Sequence, residues 1–468
     1  MSTRPVDGTT LARALAEWIV ALRWDDVPAQ VKRSTIESTF QSVAGGVAGL
    51  DTPEMRVALA WARAAGETGA ATILGDGAKV PLSTAVFVNS VLWCSLEQQE
   101  MHVPSRTHPH EVIVPVAITL AEQLHVDGVT LLESILAGVE VTTALGKTAV
   151  EITPEIVRGM PSNSGVVVAG VAAAAAKLLG FDVATTALAL AHAAQFGSGL
   201  SECLRRGTTE YHYTLANASA KGVFAAQLAA AGAEAALTQF EGGSGLFTYI
   251  TRMSGEQLLA ADLHGRVVRR LGTEWGMPEH IYKRYPVHFP SMPYLDGAKK
   301  LREQHGIRHE DIESIRLKIN AWIELCDGEN MGPYTGREAT RGAVAFQVAT
   351  MLVKGRYGLD EVEVLDDPAV MKLVSRTTID HYTDPTNDCW QWAEIEITDK
   401  QGNAYRYDSL VEGIPDYRLP MSELRPLAED ALGRILGAAT TTRVLDLLVN
   451  LETCEDVAAI TPLLVRPS

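Results

Sequence analysis

The stretch GVVVAGVAAAAA, residues 165–176, is closed by Lys177 and is the longest uninterrupted apolar run in the chain. At 12 residues it is too short to cross a bilayer as a helix, which takes about 20. So alanine- and glycine-rich a run reads as a helix buried on all sides in a larger helical domain. The surrounding sequence agrees. Leu11, Leu15, Trp18, Ile19 and Leu22 recur at helical spacing, and 31–47 continues the pattern after Asp25, Asp26 and Pro28. Alanine- and leucine-rich segments follow at 54–65, 82–96, 112–125, 129–149, 165–179, 183–195 and 215–236, each broken by Gly, Pro or Asp-Gly.

Near Gly272 the character changes. Pro278, Pro286, Pro290 and Pro293 precede an amphipathic helix at 294–305. Strand-like alternation appears at 312–319, 393–398 and 404–410, with helices at 341–354 and 367–376 between, and Lys400-Gln401-Gly402-Asn403 reads as a hairpin turn. From Met421 to Leu464 the pattern is helical again. The expected architecture is mainly α. Residues 1–272 and 416–468, from both chain ends, build a large all-helical domain, and 273–415 form an inserted smaller α+β domain.

Composition narrows the function. Of 468 residues, 47% are hydrophobic and 21% charged, as in a soluble globular protein. Forty basic against 57 acidic residues give a net charge of −17, which disfavours a nucleic-acid or anionic-membrane partner. Cys94, Cys203, Cys326, Cys389 and Cys454 are scattered without a CxxC pair, so neither a disulfide framework nor a thiolate zinc site is expected. The opening MSTRPVDGTTLARALAEW has no basic-then-apolar leader pattern, and the expected location is cytoplasmic.

Proton-transfer groups are densest in Glu97-Gln98-Gln99-Glu100-Met101-His102 and Thr107-His108-Pro109-His110-Glu111. Histidine titrates near neutral pH, and a carboxylate can orient it or tune its pKa. One reading is acid–base chemistry in a lyase or isomerase. Another is a divalent metal held through His108-x-His110 and Glu100-x-His102, although the HExxH spacing is lacking. The bland alternative is a solvated polar loop. A second cluster, Tyr282-Lys283-Arg284-Tyr285-Pro286-Val287-His288, offers two cations for a carboxylate and a histidine stiffened by proline, or else is a rigid linker. A third, 205–213, places Tyr211 and His212 where a helix start could hold an anion, or is an ordinary capped start.

In order and spacing these patches resemble the MmgE/PrpD family, which includes 2-methylcitrate dehydratase, cis-aconitate decarboxylase and iminodisuccinate epimerase. The resemblance runs over nearly the whole chain. It is carried by 89–100, Thr107-His108-Pro109 with Val114-Pro115-Val116-Ala117, and Ala137-Gly138-Val139-Glu140-Val141 with Leu145-Gly146. Further carriers are 172–179, Asn217-Ala218 before Lys221-Gly222, the Tyr282–His288 stretch, and Pro420-Met421-Ser422-Glu423-Leu424. It implies a helical domain with an α+β lid, a site between them, a homodimer, a small-molecule substrate, and catalysis without cofactor or metal. The family's two histidines fall on His108 and His288.

Three departures stand out. The family's Asp-rich D-F-D-D-T motif is replaced by Glu97-Gln98-Gln99-Glu100-Met101, no histidine stands near Met160-Pro161, and Tyr211 occupies a position where the decarboxylase-like members carry lysine. A pocket that loses a lysine and a histidine binds tricarboxylates poorly, because unpaired anions in a partly buried site are costly. The expected substrate is less anionic than citrate. The expected activity is that of a cofactor-independent lyase, dehydratase- or decarboxylase-like, moving a proton at carbon next to a carboxylate or carbonyl. The alternatives are an epimerase or isomerase of the same family and a non-catalytic binding member. Expected catalytic residues are His108, His288, Glu97 and Glu100; His102, Tyr211, His212, Lys283 and Arg284 would contact substrate.

Overall fold

The computed structural model describes residues 9–96, 98–153, 165–200, 202–206, 208–324, 328–382 and 389–467. The protein is mainly helical, with small sheets. Its chain divides into two compact units. One comprises Met1–Ser201, His212–Tyr282 and Arg418–Ser468, and the other Glu202–Tyr211 and Lys283–Tyr417.

The first unit opens with α1 (Leu11–Ala21), capped by the Thr10 side chain, and α2 (Ala29–Val47), buried along its second half. Helix α3 (Pro53–Ala65) shows why a segment starts and stops where it does. Thr52 caps it, Pro53 fits the first turn where no N–H is needed, and Gly66 ends it at φ 66°. A small ribbon, β1 (Ala71–Thr72) with β2 (Lys79–Val80), precedes α4 (Leu82–Cys94). After β3 (Met101–His102) come α5 (His110–Leu124), α6 (Gly128–Ile152), α7 (Val167–Leu178), α8 (Val183–Phe196) and α9 (Glu210–Ala230).

Helix α7 is the alanine-rich run, and all but one of its residues are buried. It packs on α5, α6 and α8. Its contact with α6 is close because glycine faces glycine. A Cβ at Gly170 would stand 1.9 Å from Thr142 Oγ1 and 2.6 Å from the Gly138 carbonyl, and one at Gly138 would stand 2.7 Å from the Gly170 carbonyl. Helix α6 is long and apolar enough to cross a membrane by length and composition, but 83% of its apolar window is buried among the other helices. It is a core helix of this unit.

Short β4 (His280–Ile281) ends the central portion of the first unit and pairs antiparallel with β3, setting His102 opposite His280 and Met101 opposite Ile281. The second unit then carries α10 (Met292–His305), β5 (Ile312–Ile319), α11 (Val344–Lys354), α12 (Pro368–Val374), β6 (Thr377–His381), β7 (Glu394–Asp399) and β8 (Ala404–Asp408). The sheet order is β6-β5-β7-β8, with β6 parallel to β5 and the other pairs antiparallel. The expected hairpin turn joins β7 to β8, with Gly402 at φ 85°. Strand β6 was not expected. Only its first residue is buried, so its sequence lacks the apolar alternation that betrays a half-buried strand. The last predicted strand stops at Asp408, whose carboxylate accepts the Leu410 N–H and starts a short helix.

Helices α13 (Met421–Leu436) and α14 (Ala438–Val449) return to the first unit and pack on α2. Backbone bonds tie the chain's end to its beginning, from Gly75 N–H to the Leu464 carbonyl at 2.8 Å and from Arg466 N–H to the Gly75 carbonyl at 2.9 Å. Both chain ends thus build the helical unit.

Candidate active site

The polar stretch between α4 and α5 is not a solvated loop. Glu100, His102, His110 and Glu111 are all essentially buried. Pairing of β3 with β4 anchors one end, and the α5 start at His110 anchors the other. Between them Val103-Pro104-Ser105 makes a tight turn closed by Arg106 at φ 55°, so His102 and Thr107 exchange backbone hydrogen bonds of 2.9 and 3.4 Å.

His108 sits at the mouth of this turn with its side chain 12% exposed. Its Nδ1 lies 2.7 Å from the Glu100 carbonyl oxygen and 3.9 Å from a Glu111 carboxylate oxygen. A carbonyl can only accept, so Nδ1 carries a proton, and in the neutral form of the ring the lone pair falls on Nε2. That is the form of a general base.

The Glu100 carboxylate turns elsewhere. Its Oε1 accepts the His110 N–H at 2.9 Å and stands 2.7 Å from His110 Nδ1, an ion-pair contact outside hydrogen-bond alignment. Burial alone would raise this carboxyl, but the facing His110 and His280 overcome it and hold the pKa at about 2. His280 packs edge-on to His110, ring centres 5.0 Å apart, and lies 5.1 Å from the His102 ring. Its Nδ1 donates to the carbonyls of Gly276 and Met277. Burial, with two imidazole neighbours, keeps its pKa well below the usual range. Donor atoms of Glu100, His110 and His280 lie within 4.8 Å of one another, so these three could hold a metal.

His102 is wholly engaged by the fold. Its Nδ1 accepts the Ser105 N–H at 3.2 Å and lies 2.7 Å from Ser105 Oγ, and its Nε2 meets Glu279 at 3.0 Å. Burial lowers its pKa, partly offset by Glu279, which also pairs with Lys147. Behind this group, Glu140 of α6 accepts the N–H groups of Gly276 and Met277, each at 2.9 Å. Burial pushes its carboxyl up to about 7 despite those donors.

His212, in α9 of the first unit, is fully buried. The remaining candidates lie in the second unit. Lys283 is buried and His288 half-buried, its N–H donating to the Arg341 carbonyl at 3.0 Å. Arg284 lies 3.3 Å from Asp296 and over the Tyr417 ring at 5.6 Å. Asp296 also accepts the hydroxyls of Tyr285 and Tyr417, at 2.8 and 2.7 Å. This favours Arg284 as the fastener of its segment. Tyr211 is buried with the Arg341 guanidinium 5.3 Å from its ring centre, and Arg341 is itself paired with Glu338. Glu97 and Met160-Pro161 lie outside the described residues.

Sequence reasoning missed Glu140, Glu279 and His280. Glu279 and His280 stand just ahead of the quoted Tyr282–His288 stretch, but only the folded chain shows that they meet His102, His280 by strand pairing and Glu279 by its side chain.

Comparison with known proteins fits this arrangement. Residues 13–257 match the MmgE/PrpD N-terminal domain and residues 285–422 the MmgE/PrpD C-terminal domain. Cis-aconitate decarboxylase of Mus musculus is 26% identical over 409 residues, spanning 83% of this chain and 80% of that protein. The cis-aconitate decarboxylase-like protein oryM of Aspergillus oryzae is 23% identical over 479 aligned positions, covering 96% of each.

Proposed function

Because the chain belongs to the MmgE/PrpD family, we propose that it is a lyase that moves a proton at carbon next to a carboxylate or carbonyl, with His108 as principal base. The observation that carries this reading is the 2.7 Å contact from His108 Nδ1 to the Glu100 carbonyl, which leaves Nε2 as the basic nitrogen in a histidine at the family's Thr-His-Pro position. In a dehydration, Nε2 takes the α-proton, the C–H electron pair becomes the new double bond, and hydroxide leaves. The proton that makes it water comes from a second acid, for which the family resemblance names His288. In a decarboxylation the C–C pair stays behind as CO2 departs, and His108, having first taken a proton from solvent on Nε2, gives it to the resulting carbanion. Either route needs donors where negative charge develops, a role assigned here to Lys283, His288 and Tyr211. Glu97 remains a candidate partner of these groups.

The substrate is a small molecule less anionic than citrate. Tyr211 brings no charge at a position where the family resemblance implies lysine, and the adjacent Arg341 is paired with Glu338. The cis-aconitate decarboxylase activity named for the relatives is the natural reference reaction. The enzyme is expected to work as a cytoplasmic homodimer without a cofactor in the reaction.

The deciding experiment is NMR of deuterium incorporation from D2O into a panel of carboxylic, hydroxy and amino acids, with wild type beside His108→Ala. Elimination or decarboxylation that is lost in the variant supports the reading. Exchange without elimination moves the enzyme to the epimerases, and no exchange with any compound favours a binding protein.

A further inference from the structure

We propose that Glu100, His110 and His280 form a buried site for one zinc-class divalent cation. The inference goes beyond the reaction above and does not depend on it.

Three observations converge. First, the donor atoms of the three residues already lie within 4.8 Å of one another, and all three side chains are essentially buried. Tetrahedral zinc with bonds of about 2.0–2.2 Å needs its ligand atoms about 3.3 Å apart. Binding would turn the side chains until that spacing is met. Second, Glu100 Oε2, both ring nitrogens of His110 and His280 Nε2 are buried without a hydrogen-bond partner, with His110 Nδ1 in ion-pair range of Glu100 Oε1. Buried polar atoms are nearly always satisfied, and an unpartnered atom on each of the three residues points to something they hold together. Third, the outer contacts are those of a metal ligand set. The Nδ1–H of His280 is tied to the carbonyls of Gly276 and Met277, which fixes the tautomer and presents Nε2 as a lone-pair donor. The Glu100 carboxylate is oriented by the His110 N–H.

Two imidazoles and one carboxylate favour zinc or cobalt over magnesium and calcium, which prefer all-oxygen shells. The remaining coordination position falls to the second Glu100 oxygen or to a water. His102 is excluded, because both its ring nitrogens are engaged by Ser105 and Glu279. The sequence spacing suggested His108-x-His110 and Glu100-x-His102 as ligand pairs. The folded chain keeps one member of each and adds His280 from 170 positions further on. Such a cation would clamp the segment that carries His108 to β4. It would stiffen the base without touching the reacting atoms.

The test uses tag-free full-length protein. Metal content is measured as isolated, and again after chelation and exposure to Zn2+ or Co2+ alone. The expected result is one equivalent per chain, a rise in Tm on loading, and strong visible absorption from four-coordinate Co2+. His280→Ala should lose the metal and the Tm gain. His381→Ala should keep both; it removes an exposed histidine that also sits between two glutamates, Glu324 and Glu329. Should His280→Ala fail to fold, zinc X-ray absorption of wild type decides instead, with two imidazole ligands expected. A chain that takes up no metal, a metal lost in His381→Ala but retained in His280→Ala, or an absorption spectrum without paired imidazoles overturns the proposal. In the first of these cases the cluster is held by the contact of His110 with the Glu100 carboxylate alone.

Discussion

His108 and Glu100 meet through the backbone. The imidazole Nδ1 lies 2.7 Å from the Glu100 carbonyl oxygen, while the Glu100 carboxylate faces His110 at 2.7 Å. The two halves of one residue therefore do separate work. The carbonyl sets the tautomer of the base, and the carboxylate holds the buried histidine cluster.

Glu100→Gln should separate those roles. The carbonyl survives the substitution, so kcat should fall far less than in His108→Ala. The buried His110 loses its anion, and stability should drop by about 2 kcal/mol. Denaturant unfolding beside steady-state kinetics checks this; equal kinetic damage in the two variants would mean the carboxylate itself acts in the reaction.

His108→Ala should lower kcat by about 10²–10⁴-fold with little change in Tm. The side chain stands 12% exposed rather than sealed within the core. A large loss of Tm would make His108 structural.

Glu140 predicts a pH dependence of stability. Its carboxyl is raised from 4.5 to about 7 by burial, with the Glu279 charge adding and Lys147 opposing. The folded state thus binds this proton more tightly than the unfolded state. The associated stability is fully present below 4.5 and is lost as pH rises through about 7, at about 1.4 kcal/mol per pH unit. Glu140→Gln should flatten that part of the stability profile. An unchanged slope would place the titration elsewhere.

Gly170→Ala should destabilise by about 2–3 kcal/mol, because the new Cβ would meet Thr142 Oγ1 and the Gly138 backbone. Gly180→Ala is the contrast. It tests a positive φ of 64° with open space around it, so it should cost less, about 1 kcal/mol. Thermal unfolding ranks the two, and a reversed order would deny the close α6–α7 contact.

Arg284 separates fastening from substrate binding. If it fastens its segment through Asp296, then Arg284→Met and Asp296→Asn should both lower Tm, and KM should change little. A raised KM in Arg284→Met at unchanged Tm would give it to the substrate instead.

Much of the fold was written in periodicity. The burial of 165–176 follows from having no polar face to offer water, and the helical spacing of α1 and α2 needed no partner to be read. The hairpin at Lys400–Asn403 was likewise local. Strand β6 was not legible, because Thr377–His381 buries only its first side chain and takes its conformation from pairing with β5. At the site, the sequence marked Glu100, His102, His108 and His110 as a dense group but could not assign their partners. Whether a carboxylate faces a histidine depends on rotamers, backbone turns and strand register, none of which spacing encodes.

Composition and local pattern, then, determined a mainly helical protein with a sheet-bearing portion and a histidine-rich stretch. Tertiary structure decided which histidine is which. Pairing of β3 with β4 brings His280 to His102 and His110 across 170 or more positions. The turn at Arg106 swings His108 onto a carbonyl rather than a carboxylate. Side-chain chemistry is local, but the environment that sets a tautomer or a pKa is made by chain segments that meet only when the protein folds.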